Sequence, residues 1–308
     1  MGYGGALIYT GLAKNLKREH PEKKIIFLFK LNLKNLLFFR KNKDFEVYKN
    51  NPDILLVINK LLWFFVRIFY KKKDKIIIDL ENKKYHYWEK DTPNRIFYKK
   101  NGHAIYLALE SFELKNILLE TKIVLNQNEK DIACKILGKN NLLNKKYICI
   151  EPNTKKTFTV NKQWPLKNWQ ELINLINKFT AENKIDCKIV QIGSPKSPNM
   201  DGVINLSGLT TFRQVKEIID RSCLLIANEG GMAHLASGSD TISVIICNPS
   251  LPKNLMTYPK NINIFPLNGN MHDCGLKKTC DTCQEMLNSI TPNYVLDKIK
   301  HILINQIT

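Results

Sequence analysis

Cys223-Leu224-Leu225-Ile226-Ala227-Asn228-Glu229-Gly230-Gly231-Met232-Ala233-His234-Leu235-Ala236 leaves an apolar run, crosses two glycines and enters a helical pattern whose first turns carry His234. A short apolar run bounded by glycine reads as a buried strand, so the stretch predicts strand, turn and helix. Glycines let a backbone approach a ligand closely, and free N–H groups at a helix start hold phosphate. Glu229, just before the glycines, can bind sugar or ribose hydroxyls, with the His234 imidazole in reach of the same pocket. The plainer alternative is a connecting turn with a core histidine. Upstream, Tyr147–Glu151 and Cys187–Gly193 read as further strands, and Ile242–Cys247 as the next one downstream. Trp169, Leu172, Ile173 and Ile176 recur at the spacing of one helix face, and Thr211-Phe212-Arg213-Gln214 has the form of a capping box. Short strands alternating with helices imply βαβ units, hence a parallel sheet with right-handed crossovers. Ligands bind such sheets beyond the carboxyl ends of the strands.

The first half follows the same pattern more loosely. Ile8, Leu12 and Leu16 predict a helix, Lys24–Phe29 and Lys75–Leu80 strands, and His103–Leu114 and Glu129–Leu137 helices. The polar segment Gly138-Lys139-Asn140-Asn141 is the expected linker. The expected class is therefore α/β, with two Rossmann-like parallel-sheet domains facing a cleft. Their expected extents are residues 1–140 and 146–308, the last helix (Val295, Ile299, Ile302, Leu303) packing back on the body. A chain of 308 residues is long enough for two medium domains.

With 44% hydrophobic residues and no low-complexity repeat, the composition is globular. Residues 1–100 hold 23 Lys and Arg against 10 Asp and Glu, a surplus of 13 within a total of +19. A basic half expects an anionic partner, unless base bias in the source genome explains the lysines. No aromatic-basic sheet signature or helix-turn-helix pattern accompanies the charge, so nucleic acid is not the expected partner. Five of eight cysteines lie inside apolar runs, which predicts reduced thiols and a cytoplasmic protein. Ile54–Tyr70, the most hydrophobic stretch, is too short to span a bilayer and carries Lys60 and Arg67, while Leu61–Tyr70 followed by Lys71-Lys72-Lys73 reads as either a buried helix or an interfacial one touching the inner membrane.

Glu151-Pro152-Asn153-Thr154 ends a strand, and Lys162-Gln163-Trp164-Pro165 leads into the helix of Trp169. A lysine there is placed to neutralise a diphosphate. Together with Ile204–Thr211 (INLSGLTT) and the Asn228–Ala236 stretch, this segment resembles glycosyltransferase family 9, the lipopolysaccharide heptosyltransferase-like enzymes of the GT-B fold. The matching family patterns are K-x-W-P, hydrophobic-x-L-x-G-x-T-[ST] and N-D-[ST]-G-x-x-H-x-A. Gly2-Tyr3-Gly4-Gly5-Ala6-Leu7-Ile8 is similar to its G-x-G-D-x-[LI] loop. The resemblance implies inverting, metal-independent transfer of a sugar from a nucleotide-sugar, ADP-heptose or similar, to an anionic glycolipid or glycan acceptor such as the lipopolysaccharide core. It implies no cofactor. It also places Thr154, Lys162, Asn228, Glu229, Gly230, Gly231 and His234 around the donor, and Gly2, Gly4 and Gly5 in an acceptor-side glycine loop.

Two features depart from the family. Gly5 stands where the family carries an aspartate resembling a general base, leaving Asp79, Glu81 and His86 as candidates for that role. The glycine loop begins at residue 2 rather than after a first strand, so the first sheet is expected to lack a central strand. A degenerate nucleotide-sugar-binding module and a nucleotide-sugar epimerase or hydrolase are the rival functions.

His272-x-Cys274-x5-Cys280-x2-Cys283 supplies four soft ligands, enough for a tetrahedral zinc site. Free structural thiols or a redox-labile pair account for the same residues, and no metal is the favoured expectation.

Overall fold

A computed structural model describes residues 3–29, 43–59, 74–80, 82–99, 102–154, 159–267 and 270–307. The first half opens with α1 (Tyr3–Glu19), which buries Ala6, Leu7, Ile8, Leu12 and Leu16. There follow β1 (Lys24–Phe29), α2 (Lys43–Tyr48), β2 (Leu56–Asn59) and β3 (Lys75–Asp79). The three strands pair in parallel in the order β2-β1-β3, with Ile26 opposite both Leu56 and Ile77. Gly4 and Gly5 thus lie in the first turn of a helix rather than in a loop, because Ala6–Ile8 immediately behind them are pulled into the core. No strand precedes α1 among the described residues, and β1 itself takes the centre of this sheet. An antiparallel hairpin, β4 (Trp88–Thr92) and β5 (Arg95–Tyr98), comes next. The helix expected over His103–Leu114 is shorter. Its α-helical part is α3 (Ala104–Leu109), with His103 as its N-cap, and it ends in a 3₁₀ turn before Glu113 at φ 53°. The α4 helix (Gln127–Lys139) starts with a capping box between Asn126 and Glu129.

The second half is built from β6 (Lys146–Glu151), α5 (Leu166–Glu182), β7 (Cys187–Gln191), β8 (Ile204–Asn205), α6 (Gln214–Asp220) and β9 (Leu224–Asn228). It continues through α7 (Gly231–Ala236), β10 (Ile242–Ile246), β11 (Ile262–Ile264), α8 (Asp281–Ser289) and α9 (Pro292–Ile307). The predicted capping box is present, Thr211 Oγ1 accepting from Gln214 N at 3.2 Å and Gln214 Oε1 accepting from Thr211 N at 2.9 Å.

Six strands form one parallel sheet ordered β11-β10-β9-β6-β7-β8. Successive residues point to opposite faces of a strand, and here both faces are covered. Tyr147, Cys149, Leu225 and Ala227 face a core shared with α1, α4 and α6, whereas Ile148, Ile150, Leu224 and Ile226 face one built with α5 and α9. Val295, Ile299, Ile302 and Leu303 of α9 complete this second core, so the last helix does return to the body. The order runs outward from β6 through β7 and β8 on one side, and through β9, β10 and β11 on the other. Direction therefore reverses between β6 and β9, the point where doubly wound sheets open a crevice for ligands.

Arg213 fastens the two halves. Its side chain is 2% exposed, and it donates to both Glu129 oxygens at 2.6 and 3.0 Å, to Glu46 O at 2.9 Å, to Lys49 O at 3.3 Å and to Val124 O. The salt bridge and its direct hydrogen bonds lower the Glu129 carboxyl against the upward push of its burial.

Candidate functional site

The reversal, where topology expects a ligand crevice, lies between the ends of β6 and β9, and Asn228 ties these segments together. Fully buried, this amide donates to Glu151 O at 3.3 Å and accepts from Trp164 N at 3.0 Å. One side chain thus joins both strand ends and the segment carrying Lys162. Gln163 supports the same corner, accepting from Thr154 N and Oγ1 at 2.8 and 3.2 Å and donating to Pro152 O and Trp164 O, each at 2.7 Å. Trp164 is wedged into the core, its Nε1 donating to Ile290 O at 2.9 Å and its ring edge-on to Trp169. The half-buried Lys162 is left facing the glycines, its Nζ 3.6 Å from where a Cβ of Gly230 would lie. Among the described residues no hydrogen bond or ion pair engages that ammonium.

Glu229 and His234 line the same mouth, with Glu229 Oε1 3.7 Å from His234 Nε2. His234 Nδ1 lies 2.7 Å from the Tyr258 hydroxyl, whose ring meets His103 edge-on at 4.7 Å. Burial, with Lys162 adding repulsion, lowers the His234 imidazole from 6.5 to about 3. Its approach to Glu229 is therefore not an ion pair. A neutral ring carries one proton, on Nδ1 if it donates to Tyr258 Oη and on Nε2 if the tyrosine donates instead.

The first half closes over this loop. A Cβ on Gly4 would stand 2.7 Å from His234 Cδ2 and 3.8 Å from Gly231 Cα, so only glycine lets α1 seat there. Tyr3 stacks on Phe212 at 4.1 Å, and Phe212 in turn abuts Gly231. Tyr98 also faces this mouth: burial first, then the Glu229 charge, pushes its hydroxyl well above the ordinary tyrosine range.

The model of glycosyltransferase family 9 (heptosyltransferase) matches residues 68–290, more than two thirds of the chain. The chain belongs to glycosyltransferase family 9. Among solved structures, this family 9 protein is similar to a family 9 glycosyltransferase of Veillonella parvula DSM 2008 (TM-score 0.70, 15% identity, 99% of this chain and 95% of that one). It is also similar to the E. coli ADP-heptose lipopolysaccharide heptosyltransferase II (TM-score 0.61, 16% identity, 97% and 95%). The iron-containing dodecameric glycosyltransferase TibC of enterotoxigenic E. coli H10407 shares the fold as well (TM-score 0.57, 13% identity, 100% and 75%). These likenesses establish the GT-B architecture expected from the sequence. No curated protein sequence matches the chain.

The family 9 match spans every donor-side candidate from Thr154 to His234, but begins after the glycines of α1. The structure gathers Lys162, Glu229, Gly230, Gly231 and His234 at one mouth, with the buried Thr154 behind them against Gln163. With only six residues, α7 offers a weaker dipole than the expected helix, leaving Lys162 and the glycine backbone as the main anion-facing features. The expected bases are less well placed. His86 Nε2 donates to Leu80 O at 3.1 Å and its ring stacks on Trp88, while Asp79 ends β3 opposite Leu28. Glu81 and Gly2 lie outside the described residues, as does the Leu61–Lys73 segment.

Glu151 is the residue that sequence reading missed. As the last residue of β6 it reads as a strand end, yet burial raises its carboxyl from 4.5 to about 8, with Lys162 opposing and Glu229 adding to the shift. His103 behaves in the reverse sense, burial and then His234 lowering it to about 3.

These shifts set a pH dependence. Between about pH 3 and 6.5 the unfolded chain binds protons at His103 and His234 that the native chain refuses, so stability falls as pH drops through that window. Glu151 keeps a proton in the native state that the unfolded chain releases from 4.5 upward, so stability also falls as pH rises from 6.5 to 8. Urea midpoints at pH 5, 6.5 and 8 are expected to peak near 6.5, each group contributing at most about 1.4 kcal/mol per pH unit. Glu151→Gln should flatten the alkaline limb and leave the acid limb in place. A wild-type midpoint still rising between pH 6.5 and 8 contradicts the expectation.

Proposed function

We propose that the chain transfers a sugar, heptose by analogy with its family, from a nucleotide-sugar to a lipopolysaccharide core or other surface glycan. In this reading the anomeric carbon inverts and no divalent cation is needed. The observation that carries it is the Lys162 ammonium, held beside Gly230 at the sheet's reversal with no hydrogen bond or ion pair engaging it among the described residues. A cation that no salt bridge engages, beside a glycine turn, suits a diphosphate, and as the glycosidic bond breaks it offsets the charge growing on the nucleoside diphosphate. Thr154, Gly230 and Gly231 complete the cradle, with Asn228 as its brace. The relatives support the donor class, one of them being an ADP-heptose lipopolysaccharide heptosyltransferase.

The acceptor hydroxyl must lose a proton, and Gly5 cannot take it. We assign that step to Glu229, the carboxylate where the two halves meet, with the neutral His234 ring beside it. The basic first half fits an anionic acceptor presented at the cytoplasmic face of the inner membrane. No described helix is long and apolar enough to cross a membrane.

A thermal-shift panel of nucleotide-sugars, followed by transfer assays with lipopolysaccharide-core acceptors, tests this function. ADP-heptose or a close analogue is expected to stabilise the wild type. Glu229→Gln should keep that stabilisation and lose roughly 10²–10⁴-fold in turnover. Loss of both makes Glu229 a donor contact instead, and no stabilisation by any nucleotide-sugar removes the transferase reading. Gly5 favours one second reading, a donor-binding protein without transfer, which predicts stabilisation but no product with any acceptor.

A further inference from the structure

His272, Cys274, Cys280 and Cys283 come from two separate segments, the loop after β11 and the start of α8, yet their ligand atoms all lie within 4.8 Å of one another. Cys274 Sγ is 3.6 Å from Cys283 Sγ, and His272 Nδ1 is 3.3 Å from Cys280 Sγ and 3.6 Å from Cys283 Sγ. Around a tetrahedral zinc with Zn–S of about 2.3 Å and Zn–N of about 2.0 Å, sulfurs stand about 3.8 Å apart and nitrogen about 3.5 Å from sulfur. The observed spacings follow that figure and are far too long for a disulfide, which needs about 2.05 Å. Cys280 caps α8 and Cys283 lies within its first turn, so three residues of spacing turn both thiols to one side. The three cysteines are buried and the histidine is exposed.

We propose that these four side chains bind one zinc ion in a closed, structural Cys₃His site. On binding, the three thiols release three protons and His272 coordinates through neutral Nδ1, with no change in oxidation state. All four positions are filled by protein, so the ion takes no part in transfer chemistry and the proposal does not depend on it.

The surroundings show what the ion would organise. Asn161 Nδ2 donates to Leu276 O and Lys278 O at 2.9 and 2.8 Å, and its Oδ1 accepts from Cys280 N at 2.9 Å. Asn161 directly precedes Lys162. From the other side, the hairpin of the first half docks on the same loop: Ile96 N donates to Gly275 O at 3.0 Å, Lys277 N to Asn94 O at 2.9 Å and Arg95 Nε to Cys274 O at 3.0 Å. Gly275 has a φ of 63°, and a Cβ there would strike Ile96 O at 1.9 Å. Among the described residues, the apolar cluster at this loop consists of the three cysteines and Leu276. A metal crosslink therefore supplies the rigidity that a hydrophobic core provides elsewhere.

The test is metal analysis of the full chain, produced without a metal-binding tag under reducing conditions in medium containing zinc and iron. About one zinc per chain is expected. After exchange, cobalt(II) should give the thiolate charge-transfer and intense visible bands of a tetrahedral site. His272→Ala, at an exposed position, should fold, lose zinc to a chelator more readily and shift the cobalt spectrum. Metal-free wild type with no cobalt bands and freely alkylated Cys274, Cys280 and Cys283 overturns the site. Stoichiometric iron in place of zinc overturns the choice of ion.

Discussion

Replacing Arg213 with alanine is expected to destabilise the folded chain by about 3–5 kcal/mol, read as a fall in urea midpoint at unchanged slope. The guanidinium is almost wholly buried, and its removal strands the Glu129 carboxylate together with the carbonyls of Glu46, Lys49 and Val124. An uncompensated buried charge costs more than the pair contributes when intact, so the deficit should exceed that of losing an exposed ion pair such as Lys145–Asp186. Glu129→Gln relieves part of the burden, and the double variant should be less destabilised than the two single losses added together. A deficit below about 1 kcal/mol for Arg213→Ala would show that water replaces the guanidinium at no great cost.

Lys162→Ala carries the second large expectation. Its ammonium makes no hydrogen bond or ion pair among the described residues, and its removal takes an attraction from Glu151 and a repulsion from His234, effects of opposite sign, so the midpoint in urea should stay within about 1 kcal/mol of wild type. Transfer should fall by about 10²–10³-fold, the usual loss when one stabiliser of developing charge is deleted. Nucleoside diphosphate should also lose its thermal stabilisation of the protein. Lys162→Arg restores charge but not the compact ammonium fitted beside Gly230, and is expected to recover only part of the rate. Unaltered nucleotide-sugar binding and turnover in Lys162→Ala would remove the diphosphate from this corner.

The second half was legible because its signals are local. Residues 147–151 and 224–228 are continuous apolar runs, as strands buried on both faces must be, and glycine and proline mark their ends. The two short edge strands, Ile204–Asn205 and Ile262–Ile264, are below the length at which periodicity can be read, yet they complete the strand order that locates the reversal. At the site, Lys162, Glu229 and His234 were visible as residue types in a pattern. Glu151 was not, since its shifted carboxyl arises from burial between Lys162 and Glu229, which the chain brings together across 11 and 78 positions. Tyr258 escaped notice for the same reason, its place between His103 and His234 existing only after folding. The glycines of α1 misled in the other direction: they resemble a glycine loop, but lie in a helix, where Gly4 lets it approach His234. The metal-ligand chemistry of residues 272–283 could be read from spacing, whereas the mutual distances that favour an ion could not.

Asn228 has a consequence for how such a protein can change over time. By joining both strand ends and the Trp164 segment through one buried amide, it relieves Thr154, Lys162 and Glu229 of supporting the fold. Chemistry and architecture are thereby assigned to different side chains. A lineage can exchange the residues proposed to face sugar and phosphate without first having to find a new way of staying folded.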